Sequence, residues 1–215
     1  MPEAVLQTEW NRIIVPHIAP SKRELGELVL AQTIADYNSA GRHYHNLAHI
    51  INGHEQLTPY EGRPDFVQLW LAYLWHDVDY TIGPKNIHRM SDEKESAKKA
   101  YGHMEVLGLP GAYAVGRLIV ATEKHDSDYE PEALMNAIDM SITAAPEPIY
   151  EVYRLGIREE YSWVPDDLYY PARARVLKSF ARPIFRHPDY VHLEPIAQQN
   201  ILAELSSIEQ LCRKG

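Results

Sequence analysis

The chain has 215 residues, of which 45% are hydrophobic and 24% are charged, a composition typical of folded globular proteins. Its formal net charge of −9 at pH 7 disfavours general binding to nucleic acids and to anionic membrane surfaces. A ligand that carries phosphate would therefore need a local basic site or a metal ion.

The single cysteine, Cys212, excludes an internal disulfide. The opening residues MPEAVLQTEWNRII lack the basic and apolar regions of a signal peptide. No apolar run approaches the ~20 residues that a membrane span needs. These features predict a cytoplasmic protein with no membrane segment.

Apolar residues recur at helical spacing along most of the chain, whereas the alternation typical of strands is scarce. Proline or glycine stands at most of the junctions between these segments, as at Pro110-Gly111 and Pro146. In chain order the pattern predicts helices over about residues 2–15, 21–37, 45–57, 65–77, 91–107, 111–125, 131–144, 146–161, 170–182 and 194–212, with a polar loop over 79–89. We therefore expect an all-α fold, a single-domain helical bundle over residues 1–215.

Histidine is unusually frequent, with 11 in the chain and a group of four at His43, His45, His49 and His54. On a helix, His45 and His49 would share one face because they are four residues apart. Taken alone, that pair is typical of a polar helix face.

His76 and Asp77 stand out because they follow LWLAYLW, a stretch expected in the core. Burying an imidazole beside a carboxylate is costly unless something pairs with both. A local His–Asp hydrogen bond would satisfy them, and so would a divalent metal ion. Asp139, within the apolar stretch NAIDMSITAA, raises the same question on a separate helix. Because all these sites have metal-ligand chemistry, we favour their convergence on one metal.

Several ordered motifs carry a family resemblance. They are Arg-His-Tyr-His-Asn-Leu-Ala-His-Ile at 42–50, Trp-His-Asp at 75–77, Asp-Glu-Lys-Glu-Ser-Ala at 92–97, Thr-Glu-Lys-His at 122–125, and the late Asp139. In this order they resemble the HD superfamily of metal-dependent phosphohydrolases, and within it the branch of predicted metal-dependent HD phosphohydrolases. The resemblance covers about residues 37–186. It departs from the branch pattern at Asp92, where asparagine is usual, and at Ala137, where an acidic residue is common.

The resemblance implies a helical domain of the HD type with one divalent transition metal ion. The ligands that it implies are His45, His76, Asp77 and Asp139. Two imidazoles and two carboxylates suit Mn²⁺, Fe²⁺, Co²⁺, Ni²⁺ or Zn²⁺ without selecting one of them. Spacing leaves open whether His45 or His49 is the first ligand. We favour His45, which we expect to open its helix, and assign His49 to the substrate side of the site.

The remaining roles also follow from the resemblance. Glu93, helped by Asp77, is the expected general acid/base, although a charged first turn of a helix would look the same. The side chains expected to contact the substrate are Arg42, His49, Lys124, His125 and Arg158. The basic ones among them could equally form surface ion pairs. His125 could instead bind a second metal, and His88 and His103 lie in the same interval of the chain.

These residues predict a phosphohydrolase acting on a small phosphoester, with nucleotides and related phosphomonoesters as the favoured substrates. A di-iron oxygenase on the same scaffold is one alternative. A helical module that binds a nucleotide without turnover is another.

Overall fold

A computed structural model describes residues 2–83, 90–180 and 182–214. It confirms the all-α prediction, because no strand occurs within those ranges. Residues 84–89, which include His88 and are the last six residues of the predicted polar loop, lie outside the described residues.

The chain divides into two compact units, Met1–Lys124 and His125–Gly215. A single HD-type domain over the whole chain therefore stays a prediction. The first unit contains α1 (Pro2–Ile13), α2 (Arg23–Tyr37), α3 (Leu47–Leu57), α4 (Phe66–Trp75), α5 (Asp92–Leu107) and α6 (Ala112–Ala121). The second contains α7 (Glu130–Met140), α8 (Glu147–Glu160), α9 (Asp166–Ser179) and α10 (Glu194–Lys214).

Local capping chemistry sets several of these helix ends. Asn46 caps α3, since its side-chain oxygen accepts a hydrogen bond of 2.9 Å from the backbone N–H of Ala48. The helix therefore begins two residues later than predicted. Gly108 ends α5 in the left-handed conformation with φ 73°, which glycine adopts without strain.

The start of α9 was predicted wrongly. This helix begins at Asp166, four residues before the predicted position, and Pro171 lies inside it. Pro165 occupies the capping position, and Asp166 and Asp167 supply negative charge in the first turn. Such charges stabilise the positive end of the helix dipole and favour a helix start at Asp166. Pro171, which suggested a start near residue 170, lies within the helix instead.

Helix α4 forms the centre of the first unit, packed against α3, α5 and α6. Every residue from Leu69 to Trp75 is at most 1% exposed. Gly53 lets α3 come close to α4, because a Cβ there would lie 2.0 Å from the ring of Tyr73. This close approach brings the histidines of α3 towards the end of α4.

In the second unit, α10 packs on α9 and on the short turn Ser141–Ala144 that follows α7. Ile201 and Ile208 of α10 are buried in this packing. Across the described residues, no helix is both long enough and apolar enough to cross a membrane.

Candidate metal centre

A group of metal-ligand side chains lies in the first unit, where α3 meets the end of α4. His49 Nε2 is 3.2 Å from His76 Nε2, and His76 Nε2 is 3.1 Å from Asp77 Oδ2. His49 Nε2 is also 3.8 Å from Asp77 Oδ2. The side chains of the three residues are only 5%, 1% and 14% exposed, respectively. We call His49, His76 and Asp77 the His-Asp cluster.

The end of α4 orients His76. Its Nδ1 lies 2.8 Å from the backbone oxygen of Tyr73, one of the carbonyls that the end of the helix leaves without a helical partner. A ring that donates from Nδ1 presents its other nitrogen, Nε2, as a lone pair when it is neutral. That lone pair is directed towards His49 and Asp77, the orientation that backbone hydrogen bonds commonly give to metal-binding histidines.

Helix α3 supplies His49 to these contacts. His49 lies within the helix, and the hydroxyl oxygen of Tyr73 is 3.4 Å from its Nε2. His45 precedes the helix, with its ring stacked on Tyr80 at a centroid distance of 4.2 Å. The His45 and His49 rings lie 6.1 Å apart, so both belong to one neighbourhood.

Glu93 lies in the first turn of α5, half-buried. Its side chain forms no ion pair or hydrogen bond with the other described residues. This leaves its carboxylate available for the acid/base role that the resemblance implies.

Arg42 belongs to the turn before α3, and its guanidinium group donates to three backbone carbonyl oxygens, those of His45, Asp77 and Val78. Arg158 in the second unit is engaged in a similar way. It donates to the backbone oxygens of Tyr161 and Val164 and to the carboxylate of Asp166. Both arginines are thus occupied in joining parts of their own unit, whereas Lys124 is exposed.

Asp139 and His125 lie close to each other in the second unit. His125 Nε2 is 2.8 Å from Asp139 Oδ2, and each side chain is 17% exposed. His125 has a φ of 49°, a left-handed conformation that costs energy in a residue with a Cβ. Two of the predicted site residues, His125 and Asp139, are therefore in direct contact.

Two other histidines, His54 and His103, lie beside tryptophan rings instead of in the His-Asp cluster. His54, on α3, stacks on Trp70 at 4.1 Å and has Nε2 3.0 Å from the backbone oxygen of Trp70. Burial lowers the pKa of His54 to about 3. Burial and the nearby Lys99 lower the pKa of His103, whose ring lies 5.4 Å from that of Trp75.

Sequence reasoning missed Tyr37 and Tyr73, which support the cluster. Tyr37 is fully buried and donates a hydrogen bond of 2.9 Å to the backbone oxygen of Leu74. Burial and the charge of Asp77 raise the pKa of Tyr37 well above its usual value. The three-residue spacing from Tyr73 to His76 is the sequence signal that could have predicted the contact of the His76 ring with the backbone oxygen of Tyr73.

No family model, curated protein or solved structure matches this chain. The HD resemblance therefore rests on the motifs quoted above.

Proposed function

We propose that the chain is a metal-dependent phosphohydrolase of the HD type, acting on a small phosphoester such as a nucleotide or a related phosphomonoester. The observation that carries the proposal is the His-Asp cluster, in which two imidazole nitrogens and a carboxylate oxygen converge in a largely buried position. His49 and His76 are among the described side chains with ligand atoms close enough together to hold a metal ion.

The spacing of the cluster suits a metal ion. Ligand atoms that bind one transition metal at about 2.0–2.2 Å lie roughly 3–3.5 Å from one another. Two of the three distances, 3.2 and 3.1 Å, fall in this range, and the third is 3.8 Å. One divalent ion bound to all three groups would offset the cost of burying two imidazoles and a carboxylate together.

The proposal takes His49 as the first histidine ligand, because its ring nitrogen is in contact with His76. His45 then supports the site through its stacking on Tyr80. Asp139 is included as a further ligand on the strength of the resemblance. His125 orients the Asp139 carboxylate through the 2.8 Å contact. The donor set remains two imidazoles and two carboxylates, which suits Mn²⁺, Fe²⁺, Co²⁺, Ni²⁺ or Zn²⁺.

When bound, such an ion polarises a phosphoryl oxygen and lowers the pKa of a water molecule. Hydrolysis of the ester also needs a side chain that transfers a proton from the water to the leaving oxygen. Glu93 is proposed to accept a proton from the attacking water and to return it to the leaving oxygen of the ester. Asp77 assists by accepting a hydrogen bond from that water.

Elemental analysis of protein purified without a chelator tests the metal site. We expect about one divalent transition metal per chain, lost in His76→Ala, Asp77→Asn and Asp139→Ala. His54→Gln is the matched control, because His54 is a buried histidine of α3 with its own partner at Trp70. Absence of metal from the native protein, even after reconstitution, would contradict the proposal.

A pair of variants decides the first ligand. We expect His49→Ala to lose the metal and His45→Ala to retain it. The reverse result would restore His45 as the ligand favoured by the sequence.

Activity is tested on the metal-loaded protein with nucleoside monophosphates and with phosphomonoesters that lack a base. We expect release of inorganic phosphate, and we expect Glu93→Gln to lower kcat by about 10²–10⁴-fold with the metal content unchanged. Two irons per chain, one of them lost in His125→Ala, would favour the oxygenase instead. Nucleotide binding without turnover, unaffected by Glu93→Gln, would favour the binding module.

A further inference from the structure

Arg42 makes an unusual set of contacts for a residue expected at a phosphate. Its Nη1 donates to the backbone oxygen of His45 at 3.0 Å and to that of Asp77 at 2.7 Å. Its Nη2 donates to the backbone oxygen of Val78 at 3.1 Å, and its Nε donates to Ser39 Oγ at 3.2 Å. One side chain therefore binds both the turn that contains His45 and the turn that contains Asp77 and Val78, which are distant in sequence.

These contacts use most of the hydrogen-bonding capacity of the guanidinium group. It has five N–H donors, and the four bonds above leave one. A bidentate contact with a phosphate needs two parallel donors on one edge of the group. Arg42 would have to break at least one of these four bonds in order to provide them.

Two aromatic rings hold the guanidinium group in place. It lies 5.1 Å from the ring centre of Tyr37 and 5.6 Å from that of Tyr80, distances at which a cation is attracted to the ring. Tyr37 is itself anchored by its bond to Leu74, and Tyr80 stacks on His45. The carbonyls of Asp77 and Val78 come just after the end of α4, where a positive charge also stabilises the helix dipole.

We propose that Arg42 is a positioning residue, which fixes the turn containing His45 relative to the turn containing Asp77, and that it is not a phosphate ligand. The inference rests on the proposed function in so far as Asp77 is a metal ligand. Arg42 acts on the backbone of both turns. It therefore sets the distance from α3, which carries His49, to the His76-Asp77 segment.

Arg42→Lys is the decisive variant, because lysine keeps the charge but cannot reach three carbonyls at once. We expect it to weaken Co²⁺ binding, measured by calorimetry, by about 10–100-fold, the usual effect of losing a group that orients metal ligands. The visible absorption of bound Co²⁺ should also change, since it reports the arrangement of the ligands. Arg23→Lys, at an exposed position of α2, is the control and should leave both unchanged.

Arg42→Ala with added methylguanidinium separates positioning from general damage to the fold. We expect the small cation to restore part of the Co²⁺ affinity of this variant, with no effect on wild type or Arg23→Lys. Inorganic phosphate, used as an inhibitor of the metal-loaded protein, supplies the opposing readout. Unchanged Co²⁺ affinity in Arg42→Lys with weakened phosphate inhibition would overturn the inference and make Arg42 a phosphate ligand.

Amide hydrogen exchange distinguishes failure of this inference from failure of the proposed function. The amide N–H of Asp79 donates to Ser96 Oγ at 3.0 Å, next to the carbonyls that Arg42 holds. In the metal-free protein, we expect Arg42→Lys to speed its exchange by about tenfold or more, as loss of bonds to a charged donor predicts. If wild type binds no metal, the proposed function fails while this result still judges Arg42. Equal exchange in the two proteins would overturn the positioning role.

Discussion

The His-Asp cluster of the first unit contrasts with a second buried polar group, found in the second unit. There the guanidinium of Arg173 donates to Glu204 Oε1 at 2.8 Å, and the hydroxyl of Tyr150 donates to Glu204 Oε2 at 2.6 Å. Arg173 also donates to the hydroxyl oxygen of Tyr153 at 3.3 Å. The side chains of Arg173 and Glu204 are 9% and 2% exposed.

The difference lies in how each group balances its charge. In the second unit a cation, an anion and two hydroxyls satisfy one another within the chain. Burial disfavours the charged form of Arg173, but Tyr153 and Glu204 more than offset this effect and hold its pKa well above the usual value. In the His-Asp cluster, the converging atoms are two imidazole nitrogens and a carboxylate oxygen, the atom types that bind divalent metal ions. The proposed function assigns this cluster to cation binding, whereas the Arg173 group contains its own cation.

Removal of one charge from the Arg173–Glu204 pair should have the largest effect on the free energy of unfolding. We expect Arg173→Met to lower the free energy of unfolding by about 3–5 kcal/mol, because it leaves Glu204 buried without its cation. Urea denaturation measures the change. The double variant Arg173→Met/Glu204→Leu should recover much of the loss, since it removes both charges together. A loss below about 1 kcal/mol in the single variant would mean that Glu204 is readily solvated or protonated.

A matched change in the His-Asp cluster should behave differently. We expect Asp77→Asn to leave the metal-free protein at least as stable as wild type, with a gain of up to about 2 kcal/mol, because residues placed for ligand binding are rarely optimal for stability. With metal at 100 times its Kd, wild type should gain about 2.7 kcal/mol and the variant nothing. Thermal or urea unfolding with and without Co²⁺ measures both values. A strongly destabilised metal-free variant would make the cluster a structural group like that of the second unit.

The helices could be predicted from the sequence for a physical reason. Helix ends depend on nearby residues, so Pro110-Gly111 already marked the junction between α5 and α6. The start of α3 also had a local signal. Asn46 is a stronger N-cap than His45, which sets the start of α3 at Leu47 and leaves His49 on the helix.

The roles of the arginines had no such signal. Arg42 bonds to carbonyls 35 and 36 residues further along the chain, and backbone carbonyls have no signature in the sequence. The Arg173–Glu204 pair likewise joins residues 31 positions apart. The hydroxyl of Tyr150 likewise bonds to Glu204, 54 residues further along the chain.

His54 sharpens the comparison, because it is a buried histidine on the same helix as His49 but pairs with the backbone instead of the cluster. Its pKa is about 3 in the folded state against the usual 6.5, so it is depressed by burial. Between these values the unfolded chain binds a proton that the folded protein does not. Acid therefore favours unfolding, by about 1.4 kcal/mol per pH unit from this group, and the effect vanishes above pH 6.5.

We accordingly expect the free energy of unfolding of the metal-free wild type to fall more steeply than that of His54→Gln as the pH drops from 6.5 to 4.5. The slopes should differ by about 1.4 kcal/mol per pH unit, measured by urea denaturation at each pH. His103, whose pKa burial also lowers, is present in both proteins and cancels from the difference. Parallel curves would show that His54 gains its proton without unfolding, and the contrast between His54 and the proposed ligand His49 would then lose its support.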